Sequence, residues 1–103
     1  MPPSGPYTRL FAPWCVSEVL RAQAQGHAQA GELDAAAALL ERALALAAQQ
    51  GALAWQLRSA IALVRLERQR GDAAPARARL AALLALFAVG ADTADLREAA
   101  SLL

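Results

Sequence analysis

The 103-residue sequence predicts an all-α fold: two antiparallel helix pairs stacked as a solenoid and closed by a C-terminal capping helix. Three observations predict it. Apolar residues recur at three- and four-residue spacing in five successive stretches, the period of an amphipathic helix. Alanine, the strongest helix former, dominates the 57% hydrophobic fraction, and its small side chain lets helices approach closely. Glycine followed by an acid, Gly31-Glu32 and again Gly71-Asp72, punctuates the chain in register forty residues apart.

Residues 1–12 hold three of the five prolines and no helical period, and read as a flexible lead-in to a single domain over 13–103. The first helix is predicted over 17–30, with Ser17 as its N-cap. Its inner stripe is Leu20, Ala24, His27 or Ala28, and Gly31, and its polar face carries Arg21, Gln25 and Gln29. Gly31-Glu32 ends it, and a second helix follows over 33–49 with Ala36, Leu40, Ala43 and Leu44 inward. Asp34 in its first turn suits the helix dipole.

Gly51 to Gly71 is the stretch around which the rest is arranged. Helix three, 53–70, buries Leu53, Leu57, Ala60, Ile61 and Val64, widened by Leu63, and carries four arginines from Arg58 to Arg70. Helix four is predicted over 74–89, with Pro75 tolerated in its first turn and Ala76, Leu80, Leu83, Leu84 and Phe87 buried. Asp92-Thr93 caps a fifth helix, 93–103. Leu96, Ala99, Ala100 and Leu103 are its inner side, and Asp95, Arg97 and Glu98 face water.

The recurring helix–Gly-acid–helix unit fits a tetratricopeptide-like template, whose period is ~34 residues. Leu20, Ala24 and His27, then Ala36, Leu40, Ala43 and Ala48, take its positions in the first unit. Ala60, Leu63, Val64 and Glu67, then Ala76, Leu80 and Leu83, take them in the second. Glu67 replaces an aromatic residue there and Leu83 a small one, and helix three gains an extra turn around Trp55.

At this point the chain resembles a family. Gln50-Gly51, Trp55, Leu57-Arg58, Gly71 and Asp92-Thr93-Ala94-Asp95-Leu96, preceded by WCVSEVLRAQAQ, are similar to the C-terminal tail of certain large bacterial signalling ATPases. Those proteins join an ATPase module and helical repeats to an adenylate/guanylate cyclase domain or to a DNA-binding transcriptional-regulator domain. The likeness spans residues 14 to 103. Val19, and Phe87-Ala88-Val89-Gly90 without an acid before its glycine, depart from it. The resemblance implies a regulatory, non-catalytic tail, since the catalytic and phosphate-binding parts of that family lie upstream of it.

The residues agree with a chain that is not an enzyme. The six glycines are scattered helix breaks, there is no lysine for a phosphate loop, and His27 has no second ligand at i+4. No serine has a base and carboxylate at triad spacing. No cofactor or metal is predicted. Cys15 is alone and reads as a small apolar residue. The longest charge-free apolar run, residues 80–91, is shorter than the ~20 residues of a membrane helix, and the N-terminus lacks a signal-peptide pattern. A soluble cytoplasmic chain is the expectation.

Function is therefore expected in binding. On the repeat template the first helix of each pair lines a concave face, placing Arg21, Gln25, Arg58, Ile61, Arg65 and Arg68 in one groove. Residues 52–82 hold six arginines against Glu67 and Asp72, so an acidic peptide or an acidic surface of a neighbouring domain is the expected protein partner. Trp14 and Trp55 read either as groove-fillers between helix pairs or as interface anchors. Two alternatives stand beside this: a truncated structural fragment without its own activity, and nucleic-acid binding through the helix-three arginines. The acidic or neutral balance elsewhere argues against nucleic acid. Leu10, Phe11, Trp14 and Val16, uncovered at the first helix, are expected to drive self-association or to be covered by the lead-in.

Overall fold

The computed structural model describes residues 13–87 and 93–103, with side chains from Val16 onward. The lead-in, Leu10, Phe11, the side chains of Trp14 and Cys15, and the 88–92 segment lie outside the described residues. Five helices and no strand make up what is described: α1 (Pro13–Gln29), α2 (Leu33–Gln49), α3 (Leu53–Arg70), α4 (Ala74–Leu84) and α5 (Ala94–Ser101). No helix among the described residues is long and apolar enough to cross a membrane.

Near-identical turns close the first two helices. The Glu32 amide donates to the His27 carbonyl at 2.8 Å and the Gly31 amide to Ala28 at 3.1 Å. Ala52 donates to Ala47 at 3.0 Å and Gly51 to Ala48 at 3.1 Å. This six-to-one and five-to-two pairing requires a left-handed residue just past the helix, and Gly31 (φ 84°) and Gly51 (φ 65°) supply it. The chain reverses within three residues each time. Ser17 Oγ, early in α1, accordingly donates to the Ala43 carbonyl late in α2 at 3.2 Å. Arg70 at the end of α3 pairs with Asp34 at the start of α2 at 3.1 Å. Both contacts require antiparallel neighbours.

α3 is the centre and packs against all four other helices. Leu57, Ser59, Ala60, Ile61, Leu63, Val64 and Leu66 are all buried, so its apolar surface is a broad sector rather than one stripe. Fully burying a Leu- or Val-sized side chain contributes about 1.5–3 kcal/mol, and Leu57, Val64 and Leu80 are the largest apolar side chains so buried. Ala24, Ala36, Ala43 and Ala76 are buried, and side chains this small let packed helices approach closely.

The structure corrects several local expectations. α1 starts at Pro13, where a missing N–H costs nothing, so Ser17 is an interior, buried residue and not an N-cap. α4 stops at Leu84; Leu86 and Phe87 donate to the carbonyls three residues back in a tighter turn, and Leu83, Leu84 and Phe87 are only half-buried. Ala48 and Leu53, near the α2–α3 turn, are exposed and half-buried respectively.

α5 also turns differently from its predicted face. Thr93 caps it as expected, its Oγ1 accepting from the Leu96 amide at 3.2 Å. Leu96, Ala99 and Leu102 are buried, while Ala100 and Leu103 are exposed. The helix ends at Ser101, and the Leu102 amide closes a three-residue turn onto the Ala99 carbonyl, which swings Leu102 onto the core in place of Leu103.

Candidate functional site

Two adjoining cavities run along the side of α3 that faces α1. The first, about 230 Å³, has a floor of small or apolar side chains, Ala24, Ala28, Ala62 and Leu66 among them. Arg21, Gln25, Arg65 and Gln69 form its polar rim. The second, about 220 Å³, is bounded by Arg21, Arg58, Ile61 and Arg65 on one side and by Asp95 and Glu98 of α5 on the other. Helical geometry accounts for the arrangement: Arg58 and Arg65 are seven residues apart on one face of α3, and Arg21 and Gln25 are four apart on α1.

Of the six residues predicted to share a groove, Arg21, Gln25, Arg58, Ile61 and Arg65 line this pair of cavities. Arg68 lines neither; it donates to the Leu102 carbonyl at 3.2 Å at the end of α5. Ile61 is 4% exposed, which makes it part of the core beneath the groove and leaves little of it for a partner to touch.

The charges are arranged differently from the expectation of an open basic face. Arg58 Nε lies 3.0 Å from Asp95 Oδ2, and Arg65 pairs with Glu98 Oε1 at 2.8 Å. Arg21 holds Glu18, one turn earlier on its own helix, through Nε at 3.0 Å and through a terminal nitrogen. Every predicted groove arginine thus has a partner within the chain. Asp95 and Glu98, expected to face water, are the half-buried acids that supply two of those partners.

The Arg58 guanidinium is held further above its ordinary value, chiefly by the hydrogen bond to Asp95; burial opposes this, and the charges of Asp95 and Glu18 add to it. Its carbon stands 5.1 Å from the centre of the Trp55 ring, so the indole steadies the arginine that reaches α5. Sequence reasoning assigned Trp55 to a helix-pair groove or an interface, and Asp95 and Glu98 to solvent. The opposite charge balance of residues 52–82 and 92–103 was the one signal that could have paired them.

His27 stands beside Glu32, its Nδ1 at 2.9 Å from the carboxylate, in the first turn connection. Among the described residues no three His, Cys, Asp or Glu side chains come together in a way that could hold a metal. On the far side a shallow depression between α2 and α4 is crossed by the Arg79–Glu41 pair. Comparison of the chain with protein-family models, with curated proteins and with solved structures gives no match.

Proposed function

We propose that this chain is a non-catalytic helical-repeat interaction module whose channel between α1 and α3 holds a segment of another protein. The observation that carries the reading is the first cavity: an apolar floor of small side chains beneath a rim of Arg21, Gln25, Arg65 and Gln69. Such a floor admits an extended chain or one helix face, and amide and guanidinium donors on the rim suit its carbonyls and carboxylates. Support for a tetratricopeptide-like arrangement comes from the recurrence of elements: α1, α3 and α5 begin at residues 13, 53 and 94, and α2 and α4 at 33 and 74. On this reading α5 stands where the first helix of a third pair would stand. The arginines of the groove favour an acidic peptide or an acidic surface of a neighbouring domain as the partner, and the resemblance to cyclase- or regulator-linked ATPase tails favours a cytoplasmic signalling protein as its source.

A peptide-display selection on the parent chain tests it. Gln25→Trp with Gln69→Trp covers the channel from its exposed rim and leaves the core untouched. Peptides enriched in acidic residues that bind the parent and are lost on this double variant are the expected result. Retention of every selected peptide by a folded double variant would sink the reading.

One observation favours a second reading, the structural fragment. Arg58, Arg65 and Arg68 are all spent on α5, so the basic face serves packing. Nucleic-acid binding has less support for the same reason, since neutralised arginines release fewer phosphate counterions.

A further inference from the structure

α5 is eight residues long, and isolated helices below ~12–15 residues are marginal in water. Its helical form therefore depends on its seat. That seat reads a helix from end to end. Arg58 takes Asp95 in its first turn, Arg65 takes Glu98, Arg68 donates to the Leu102 carbonyl, and Arg77 of α4 donates to the Leu103 carbonyl. The order 58, 65, 68 against 95, 98, 102 makes α5 run parallel to α3. Carboxylates meet arginines at the N-terminal end, and orphan carbonyls meet arginines at the C-terminal end, the polarity that helix termini favour. Between them Leu96, Ala99 and Leu102 form the apolar footprint.

The polar contacts of this seat lie at its rim, and the cavity beside it leaves Arg58 and Arg65 open from the α1 side while they hold α5. A guanidinium carries five N–H donors, and each contact with an α5 carboxylate uses one nitrogen. A second carboxylate can thus engage these arginines before the first leaves.

We infer that the α3–α4 surface beneath α5 is a receptor for a short acidic helix, occupied in cis by α5 and open to an acidic helix of a partner protein that takes its place. The partner segment carries the pattern of Asp95-Leu96-x-Glu98-Ala99-x-x-Leu102: two acids on one side, a small residue, and a leucine at each end of the footprint. This goes beyond the channel reading, and its test leaves Gln25 and Gln69 untouched, so either can fail alone.

The probe is a labelled synthetic peptide of residues 93–103, with a scrambled peptide of the same composition as control. In the full chain, Leu96→Asp with Asp95→Arg and Glu98→Arg unseats α5, by putting a charge into the apolar footprint and setting arginine against arginine. Fluorescence anisotropy should show saturable binding of the native peptide to this variant, about tenfold tighter than the scrambled peptide and about tenfold tighter than to the parent, whose seat is filled. A second measurement uses the parent chain alone. Excess native peptide should speed amide hydrogen exchange over residues 96–102 and leave α1 to α3 unchanged, whereas the scrambled peptide should do neither. Equal binding of native and scrambled peptides by a variant that keeps its helical circular dichroism would overturn the receptor. So would unchanged exchange in α5 at saturating peptide. A parent chain that is dimeric by light scattering, with α5 exchanged between copies, would overturn the assignment to a partner protein.

Discussion

Arg58 and Asp95 meet at 3.0 Å across 37 residues of sequence, joining the central helix to the last one. The Trp55 ring is centred 5.1 Å from the carbon of the same guanidinium. The pair is half open to solvent, where an ion pair is worth about 0.2–1 kcal/mol. Asp95→Arg and Arg58→Glu should each lower the melting temperature by a few degrees, and the two together should recover most of the loss. Independent, additive effects in this double-mutant cycle would mean that the contact does not hold α5.

Removing residues 92–103 should cost more than any single pair, because it takes Leu96, Ala99 and Leu102 out of the common core and leaves Arg58, Arg65 and Arg68 without their α5 partners. A finer version is Leu96→Ala with Leu102→Ala; full burial would make each cost 2–5 kcal/mol, and at a terminal helix about 2 kcal/mol each is expected. Thermal melting followed by circular dichroism decides it, with earlier unfolding or aggregation expected and an unchanged curve against it.

Two buried serines should respond with opposite sign. Ser17 Oγ donates to the Ala43 carbonyl across the α1–α2 crossing, so Ser17→Ala should destabilise by about 0.5–1.5 kcal/mol. Ser59 Oγ is buried with no partner among the described residues, and leaving a hydroxyl unsatisfied costs about 1–3 kcal/mol. Ser59→Ala should therefore raise the urea midpoint. A lowered midpoint would show that Ser59 has a partner after all.

Gly51→Ala places a side chain at φ 65°, where L-residues are disfavoured by about 1–2 kcal/mol. No neighbouring atom lies within 4 Å of the added methyl group, so the loss comes from the backbone alone. The same substitution at Gly26, inside α1 and equally open, should stabilise by about 0.5–1 kcal/mol. Chemical denaturation of the two variants side by side separates backbone conformation from packing.

Val19 on α1 is 52% exposed, on the helix expected to drive self-association. If that face drives self-association, Val19→Glu should shift the sedimentation distribution toward monomer without altering the melting curve. An identical distribution for both chains would place association elsewhere; Leu86 at the end of α4, 63% exposed, is then the next position to change.

Much of the helical framework was legible because helices are local objects. Ala36, Leu40, Ala43, Leu57, Ala60, Val64 and Leu80 recur at helical spacing and are all buried. Gly31, Gly51 and Gly71 mark turns that only a positive φ can make, and all three have one. Leu66 escaped notice because α3 is covered on several sides, which blurs the single stripe that periodicity detects. Leu102 was missed because the final turn is tighter than an α-helix and shifts the register by one residue.

What the sequence by itself determined is the number and order of the helices and most of the residues that face inward, since spacing, alanine content and glycine punctuation act within a turn or two of the chain. What only the tertiary structure decided is where the charges go. Arg58, Arg65 and Arg68 looked like a free basic face because their partners lie 37, 33 and 34 residues away, beyond any helical period. Whether a surface arginine binds solvent, a partner or its own chain depends on where α5 comes to lie against α3. Ion pairs of this kind are too weak to dictate that path; they form where apolar packing of Leu96, Ala99 and Leu102 has already brought the two charges together.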